Sequence, residues 1–155
     1  MNVLIACEES QRVCTEFRKL GHRAFSCDII PCSGGHPEWH IQGDALELLK
    51  PDCKCFTTMD GCTHTHTKWD LLIAHPPCTY LSNVATRHFS LNHTPAEKVV
   101  KRWEERAKGS IFFMQFMLAD VQMIAVENPV GFMNGAYRKP DQIIQPYMFA
   151  ESEEE

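Results

Sequence analysis

The stretch NVLIACEESQRVCTEFRKLGHRAFSCD, residues 2–28, decides the fold. It begins with a short apolar run that is typical of a buried strand. Apolar side chains then recur at helical spacing between Ser10 and Leu20, and Gly21 ends that segment. RAFSCDII follows as a second strand that ends in an acid, Asp28. This order of strand, helix and strand predicts a parallel sheet of the α/β class.

The remainder of the chain continues the same alternation. WDLLIAH before Pro76 and MIAVEN before Pro129 predict further buried strands, and a short final strand is expected around residues 143–144. CKCFTTMDGCTHTHT alternates about an Asp-Gly pair at residues 60–61, which predicts a hairpin inserted at about residues 53–68. We therefore expect a mostly parallel sheet with flanking helices and one inserted hairpin.

One long amphipathic helix is predicted within TPAEKVVKRWEERAKGSIFFMQFMLA. A capping box joins Thr94 to Glu97, and Pro95 takes the first helical position. An apolar stripe predicts the buried face of this helix, formed by Val99, Trp103, Ile111, Phe112 and Met117. Core positions are also expected for Trp69, Phe113 and Phe116.

Composition and charge limit the possible functions. The 155 residues are 44% hydrophobic and 23% charged, as in ordinary globular proteins. We expect one domain over residues 1–150 and an acidic tail at 151–155, a possible truncation point. A net charge of -5 means that any contact with DNA has to come from a local basic patch. Neither a secretory signal nor a membrane span is predicted, so a cytoplasmic location is expected, with eight reduced cysteines.

Polar residues follow the predicted strands, where α/β folds gather their chemistry. Asp28 stands where nucleotide-binding folds hold ribose hydroxyls, although strand-ending aspartates also form turns. Asp44 could contact an adenine ring or cap the next helix. Cys78 follows a rigid Pro-Pro step, as either a presented nucleophile or a small buried side chain. Glu127 ends an apolar strand and could act as an acid beside that thiol.

These motifs resemble those of DNA cytosine-5 methyltransferases. WDLLIAHPPCTYLSN resembles their Pro-Cys motif, VENP their Glu-Asn-Val motif, and RAFSCDII and QGDAL two cofactor-side motifs in the right order. With ACEESQRV and YRKPDQIIQPY, nearly the whole chain resembles small methyltransferase-like proteins of bacteriophages and prophages. A phage-encoded chain would act in the host cytoplasm.

The resemblance implies a Rossmann-like, class I methyltransferase-like fold that transfers methyl groups from S-adenosylmethionine to cytosine, in DNA or a nucleotide. It makes Cys78 the nucleophile that adds to carbon 6 of the base and Glu127 the acid at nitrogen 3. It also implies a cofactor site, formed by Cys7, Glu8, Glu9, Asp28, Ile29, Asp44, His75 and Pro77. The implied substrate contacts are Pro76, Asn83, Arg87, Asn128 and Arg138.

Two departures from the family keep other functions open. CEESQ replaces the glycine-rich first motif, and no target-recognition domain is present in the sequence. A non-catalytic methyltransferase fold would instead bind DNA, a nucleotide or a host defence protein. Methylation of an exocyclic amine is a third possibility, although HPPCTY has His75 where those enzymes carry an acid or amide before Pro-Pro.

Two other groups of residues have alternative interpretations. The spacing of the cysteines and histidines is unlike that of paired zinc ligands, so no metal site is predicted among Cys32, His36, His40, Cys53, Cys55, Cys62, His64 and His66. Of these, His64 and His66 on the hairpin could face solvent. A basic group after the Pro-Cys motif forms either a phosphate contact or a solvated helix face; its members are Arg87, His88, Lys98, Lys101 and Arg102.

Overall fold

Five parallel strands form the main sheet, with the first strand at its centre. The computed structural model describes residues 1–65 and 68–149 of the chain. Its strands are β1 (Asn2–Ala6), β2 (Arg23–Asp28), β3 (His40–Gln42), β4 (Cys55–Thr57), β5 (Thr63–Thr65), β6 (Leu71–Ala74) and β7 (Met123–Val126). The order across the main sheet is β3-β2-β1-β6-β7, and every neighbouring pair is parallel. The predicted α/β class with a parallel sheet is confirmed, and the order is compatible with a Rossmann-like fold.

Helices flank this sheet on both faces. The α-helices are α1 (Arg12–Lys19), α2 (Ala96–Met117) and α3 (Met133–Ala136). Short 3-10 segments occur at Pro37–Trp39, Glu47–Leu49, Asn83–Phe89 and Pro146–Phe149. None of the helices in the described part of the chain combines the length and the apolar composition that crossing a lipid bilayer requires.

The alternation of side chains along β1 divides the core between the two faces of the sheet. Leu4 packs on one face with Phe25, Leu72 and the α2 residue Phe116, all almost completely buried. Val3 and Ile5 pack on the other face with the buried Cys14 of α1. Because both faces of β1 and β2 are covered, the central residues of these strands are buried and mostly apolar.

The predicted hairpin insertion is present as β4 and β5. The two strands are antiparallel, and Gly61 has a φ of 87° in the connecting turn, a conformation that favours glycine. Phe56 of β4 packs edge-on against Phe25, with 4.8 Å between the ring centroids. The hairpin is therefore part of the core of this end of the sheet.

The expected N-terminus of the long helix is wrong by one position. Helix α2 begins at Ala96, and Pro95 is its N-cap residue with an extended ψ of 145°. No side-chain capping bond forms, because Thr94 lies outside the cap, so the predicted capping box is absent. The carbonyl of Pro95 instead accepts hydrogen bonds from the amides of Lys98 and Val99.

The buried face of α2 also differs in part from the predicted stripe. Val99, Phe112 and Met117 pack inward, but Trp103 is 48% exposed and Ile111 is 62% exposed. The reason is that α2 packs against two different surfaces. Its first half meets the 3-10 segment Asn83–Phe89, whereas its second half meets β7.

The predicted final strand around residues 143–144 does not form. Ile143 and Ile144 are 50% and 59% exposed and lie in an irregular segment. Pro140 and Pro146 flank this segment, and neither can donate a backbone hydrogen bond to a ladder. The segment lines a pocket beside β7 and does not extend the sheet.

Candidate functional site

The parallel strands bring most of the predicted site residues to one edge of the sheet. Those at the strand ends are Cys7, Asp28, His75 and Glu127. Backbone pairing continues one residue beyond the strands: the amide of His75 donates to the carbonyl of Ala6 (3.0 Å), and the amide of Glu127 donates to that of Ala74 (2.9 Å). The edge is therefore fixed by the same ladder that forms the sheet.

Cys7 and two acids form the cofactor-side half of this edge. Burial, together with the negative charges of Asp28 and Asp44, raises the pKa of the Cys7 thiol to about 12. This thiol is thus protonated at neutral pH and is a poor nucleophile. Asp28 is half-buried, Asp44 is exposed, and the apolar side chain of Ile29 is 75% exposed beside them.

Both acids also stabilise local turns, as their alternative interpretation predicts. Oδ1 of Asp28 accepts the amide of Ile30 (3.2 Å), and Oδ1 of Asp44 accepts that of Leu46 (2.9 Å). Among the described residues, no side chain or backbone amide donates a hydrogen bond to Oδ2 of either carboxylate. A turn role and a ligand role are therefore compatible at both positions.

Glu8 caps helix α1 from inside the protein. The side chain is almost completely buried; Oε1 accepts the amide of Val13 (2.6 Å) and Oε2 accepts that of Cys14 (3.2 Å). These donors are among the unpaired amides at the start of a helix, where many α/β proteins bind an anionic ligand. In this chain a carboxylate of the protein itself already occupies that position.

A second loop braces the same turn. Gln11 has a φ of 59° and is completely buried. Its side chain donates to the carbonyl of His36 (2.8 Å) and accepts the amide of His36 (3.0 Å). Gly34 lies so close that a Cβ there would be 2.6 Å from that of Gln11, and Ser33 donates its hydroxyl to Glu9. Residues 33–36 thus hold the CEESQ turn in one conformation.

S-adenosylmethionine, the cofactor implied by the resemblance, fits one half of this edge. Asp28 and Asp44 offer acceptors for ribose hydroxyls and an adenine amino group, and Ile29 offers an apolar surface. The carboxylate of the methionine half would instead meet Glu8 and Glu9, with the first-turn amides already bonded. The residues therefore fit adenosine better than they fit the amino-acid end.

The loop that carries Cys78 folds into a turn directly after the Pro-Pro step. The carbonyl of Cys78 accepts the amides of Leu81 (2.9 Å) and Ser82 (3.1 Å), and the thiol side chain is half-buried. Pro76 is buried, whereas Pro77 is exposed. The turn places Cys78 beyond β6, on the same edge of the sheet as Glu127 beyond β7.

A short antiparallel bridge joins this loop to the loop after Glu127. Ser82 pairs with Gly131: the amide of Asn83 donates to Val130 (3.2 Å), and that of Phe132 donates to Leu81 (2.7 Å). A Cβ at Gly131 would lie 2.1 Å from the carbonyl oxygen of Leu81, so only glycine allows this approach. Gly131 was not among the residues predicted from the sequence, where its position four residues after Glu127 was the available signal.

The predicted substrate contacts fall into two groups. Asn128 and Arg138, together with the predicted acid Glu127, line a pocket of about 610 Å³ beside β7, whereas the predicted contact Pro76 is buried and does not line it. Arg138 also forms a two-point ion pair with Asp141 (2.8 Å). Asn83 and Arg87 are exposed on the 3-10 segment and do not line this pocket. The pocket therefore contains the predicted residues near Glu127 and not those on the 3-10 segment.

Two buried polar atoms at this edge lack a partner in the described structure. They are Nε2 of His75 and Oδ1 of Asn128. His75 lies close enough to Glu8 for its charge to affect that carboxylate. Buried polar atoms usually have hydrogen-bond partners, so a water molecule or a ligand would be needed to pair these two.

The cysteines and histidines do not gather into a metal site within residues 1–65 and 68–149. His40 is a core residue: Nδ1 contacts the hydroxyl of Ser26 (2.9 Å), Nε2 contacts the carbonyl of Ile30 (3.1 Å), and burial lowers its pKa. His64 packs against Phe25, with 4.9 Å between the rings, so the expectation that it faces solvent is wrong. His66 lies outside the described residues.

Glu8 makes the stability of the protein depend on pH. Burial raises its pKa above the ordinary value of 4.5, although the amides of Val13 and Cys14 and the charge of His75 lower it in part. Between the ordinary pKa and the raised one, the folded protein therefore holds a proton that the unfolded chain has released, and stability falls as pH rises through that range. We expect Glu8→Gln to remove this decline above pH 4.5 in urea unfolding measured across pH.

The matched control is Glu16→Gln, which removes an exposed acid of the same helix that pairs with Lys19. It should keep the decline of the unmodified protein. If Glu8→Gln and Glu16→Gln show the same pH dependence, the buried carboxylate is not its source.

Comparison with models of protein families, with curated proteins and with solved structures finds no significant match to the chain.

Proposed function

We propose that the protein is a DNA cytosine-5 methyltransferase-like enzyme of Rossmann-like fold, with Cys78 as nucleophile and Glu127 as acid. The observation that carries this proposal is the pairing of two loops at one edge. β6 and β7 are neighbours, and the Ser82–Gly131 bridge joins the loop after Cys78 to the loop after Glu127. A thiol and a carboxylate that act on one ring need such a fixed relation.

The proposed chemistry uses the two side chains in sequence. The Cys78 thiolate forms a bond to carbon 6 of cytosine while Glu127 donates a proton to nitrogen 3, which makes carbon 5 nucleophilic. S-adenosylmethionine, when bound, supplies an electrophilic methyl group to carbon 5. A water molecule then accepts the carbon 5 proton, the bond from carbon 6 to sulfur breaks to release the Cys78 thiolate, and nitrogen 3 returns its proton to the Glu127 carboxylate, which restores the aromatic ring. The base must leave a duplex for this chemistry, at a cost of a few kcal/mol.

On this proposal the adenosine of the cofactor lies at the ends of β1, β2 and β3. Asp28 would accept the ribose hydroxyls, Asp44 the adenine amino group, and Ile29 would cover the ring. Cys7 would contribute a neutral thiol to the same wall. Its raised pKa supports Cys78, not Cys7, as the reactive cysteine of this edge.

The proposal is tested by trapping. With S-adenosylmethionine and a single-stranded oligonucleotide containing 5-fluorocytosine, we expect a one-to-one covalent complex on a denaturing gel. Fluorine replaces the proton that must leave carbon 5, so the thioether to the protein cannot be released. Absence of this complex, with folded protein that binds the cofactor, would contradict methyl transfer to carbon 5.

A second candidate is a non-catalytic methyltransferase fold that binds DNA, a nucleotide or a host defence protein. The observation that favours it is Glu8, whose carboxylate already bonds the first amides of α1. Calorimetric titration with S-adenosylmethionine separates the two candidates. Millimolar or weaker affinity for folded protein would favour the non-catalytic function, whereas saturable micromolar binding would favour the enzyme.

A further inference from the structure

Arg106 is a buried arginine on α2, directly behind the Cys78 loop. Its residue surface is only 6% exposed. Nε donates to the carbonyl of Tyr80 (2.9 Å), two residues after Cys78. Its guanidinium lies 3.4 Å from the ring centroid of Phe89 and 4.7 Å from that of Phe132. The arginine therefore lies between aromatic rings at the base of the proposed catalytic loop.

A second arginine lies next to it. The guanidinium of Arg102 is 5.1 Å from the ring centroid of Tyr80 and 5.2 Å from that of Phe89, and its Nε is buried without a partner in the described structure. Burial lowers the pKa of Arg106, and the positive charge of Arg102 lowers it further. Two like charges thus share one partly desolvated cluster.

Neither arginine forms an ion pair with any described carboxylate. A buried charge without a counter-ion is costly, and aromatic faces offset only part of that cost. The Tyr80 carbonyl accepts a hydrogen bond from Nε of Arg106, but it does not pair with the remaining N–H donors of the two guanidinium groups. An anion from outside the chain would complete the cluster.

The cluster opens onto the surface through Arg102 and Trp103. Lys98, Arg102 and Arg106 are four residues apart and form one stripe along α2, from exposed to buried. Trp103 is 48% exposed, and its ring contacts Phe89 edge-on. Cations next to an exposed aromatic ring are typical of surfaces that bind single-stranded nucleic acid.

We infer that this arginine–aromatic cluster, formed by Tyr80, Phe89, Arg102, Trp103, Arg106 and Phe132, binds a backbone phosphate of a single-stranded or flipped-out polynucleotide next to the target cytosine. The inference rests on the proposed function, which makes a nucleic acid the substrate. Planar guanidinium groups match the oxygens of a phosphate, and Trp103 offers a stacking face to a neighbouring base. The site supplies the local basic patch that a chain of net charge -5 requires.

The test compares two single substitutions on α2. Affinity for a labelled single strand of about 12 nucleotides is measured by fluorescence anisotropy at several salt concentrations. Arg102→Gln should weaken binding about tenfold. It should also reduce the salt slope, the change in the logarithm of affinity with the logarithm of salt concentration, by about 0.7 in magnitude. The control is Lys108→Gln, which removes the same charge from an exposed residue paired with Glu105 and should change affinity less than about twofold.

Trp103→Ala gives a second variant that does not depend on the arginine. It should weaken binding about tenfold through lost stacking and leave the salt slope unchanged. Circular dichroism confirms that each variant is folded. The inference is overturned if Arg102→Gln and Trp103→Ala bind as tightly as Lys108→Gln. It is also overturned if free dCMP binds as tightly as the oligonucleotide and if the two substitutions weaken the binding of dCMP and of the oligonucleotide by the same factor.

Failure of the phosphate site can be distinguished from failure of the proposed function. Binding that depends on Arg102 without any 5-fluorocytosine complex would support the phosphate site and contradict catalysis. A covalent complex whose oligonucleotide affinity is insensitive to Arg102 and Trp103 would support catalysis and contradict the phosphate site.

Discussion

Cys78→Ser is expected to abolish the covalent complex with a 5-fluorocytosine oligonucleotide completely. The thiolate is the attacking species, and a serine hydroxyl in the same turn is a far weaker nucleophile at neutral pH. The turn itself should survive, because the amides of Leu81 and Ser82 donate their hydrogen bonds to the backbone carbonyl of residue 78 and not to its side chain. Denaturing gels and intact-protein mass spectrometry measure the complex, and unchanged thermal unfolding shows that the fold is kept.

Two other cysteines provide matched controls for this substitution. Cys7 lies at the same edge, but burial and the charges of Asp28 and Asp44 raise its pKa to about 12, so Cys7→Ser should leave the complex intact. Cys55 is exposed on the hairpin, and Cys55→Ser should also have no effect. A complex that persists in Cys78→Ser and disappears in Cys7→Ser would reverse the assignment.

Methylation can also be measured independently of the covalent complex. If Cys78→Ser still transfers a methyl group from S-adenosylmethionine to the oligonucleotide, the thiol is not required. An exocyclic amine would then be the acceptor, since its own lone pair attacks the methyl group. Loss of both the complex and methyl transfer is the result expected for carbon 5.

Four strands of the main sheet could be predicted from the sequence because they are short, largely apolar and followed by polar residues or proline, whereas the three-residue β3 (His40–Gln42) was not predicted. A parallel sheet then requires that Cys7, Asp28, His75 and Glu127 share one edge, whatever the helices do. The hairpin was equally clear, since an Asp-Gly pair lies between two alternating runs. In these segments local pattern and tertiary structure favour the same conformation.

The predictions that were wrong concern residues whose conformation or exposure depends on tertiary packing. Ile143 and Ile144 have strand-like side chains but do not pair, and Trp103 follows helical spacing yet contacts a loop. Arg106 falls on the stripe between Val99 and Phe113, where an apolar residue is expected. A charged residue on an apolar stripe is visible in the sequence. The periodicity does not show what Arg106 contacts, because its neighbours Phe89 and Phe132 come from distant segments of the chain.

The role of Glu8 was only half predictable. Its place after β1 indicated a cofactor contact, but the helix that follows supplies two amides within reach of the carboxylate. Whether a side chain turns outward to a ligand or inward to a helix depends on backbone angles, and Cys7 and Gln11 both have a φ of 59° here. A sequence pattern does not reveal such angles at non-glycine residues.

Gly131→Ala should have the second-largest effect, because it separates the two loops of the proposed active site. The added Cβ would lie 2.1 Å from the carbonyl oxygen of Leu81 and 2.9 Å from the Cα of Ser82. Both are backbone atoms, so no side-chain rotation relieves the overlap. We expect a loss of about 1–3 kcal/mol in the free energy of unfolding, as for other overpacked sites, measured by urea denaturation.

The effect on function can be measured separately from the effect on stability. Moving the loops apart breaks the bonds from Asn83 to Val130 and from Phe132 to Leu81, which fix the Cys78 turn relative to the Glu127 loop. A misplacement of about 1 Å between reacting groups can cost on the order of a hundredfold in rate. The rate of 5-fluorocytosine complex formation should therefore fall by that order at temperatures where the variant is still folded.

Gly135→Ala is the control, since it makes the same chemical change four residues away in α3. Apart from the adjacent residues and the backbone of its own helix, no described atom lies within 4 Å of a Cβ built at Gly135, and helical alanine is favoured over glycine. This variant should be as stable as the original protein or slightly more so, with an unchanged trapping rate. Equal behaviour of Gly131→Ala and Gly135→Ala would mean that the Ser82–Gly131 bridge does not hold the loops together. The fixed relation of Cys78 to Glu127 would then need another physical cause.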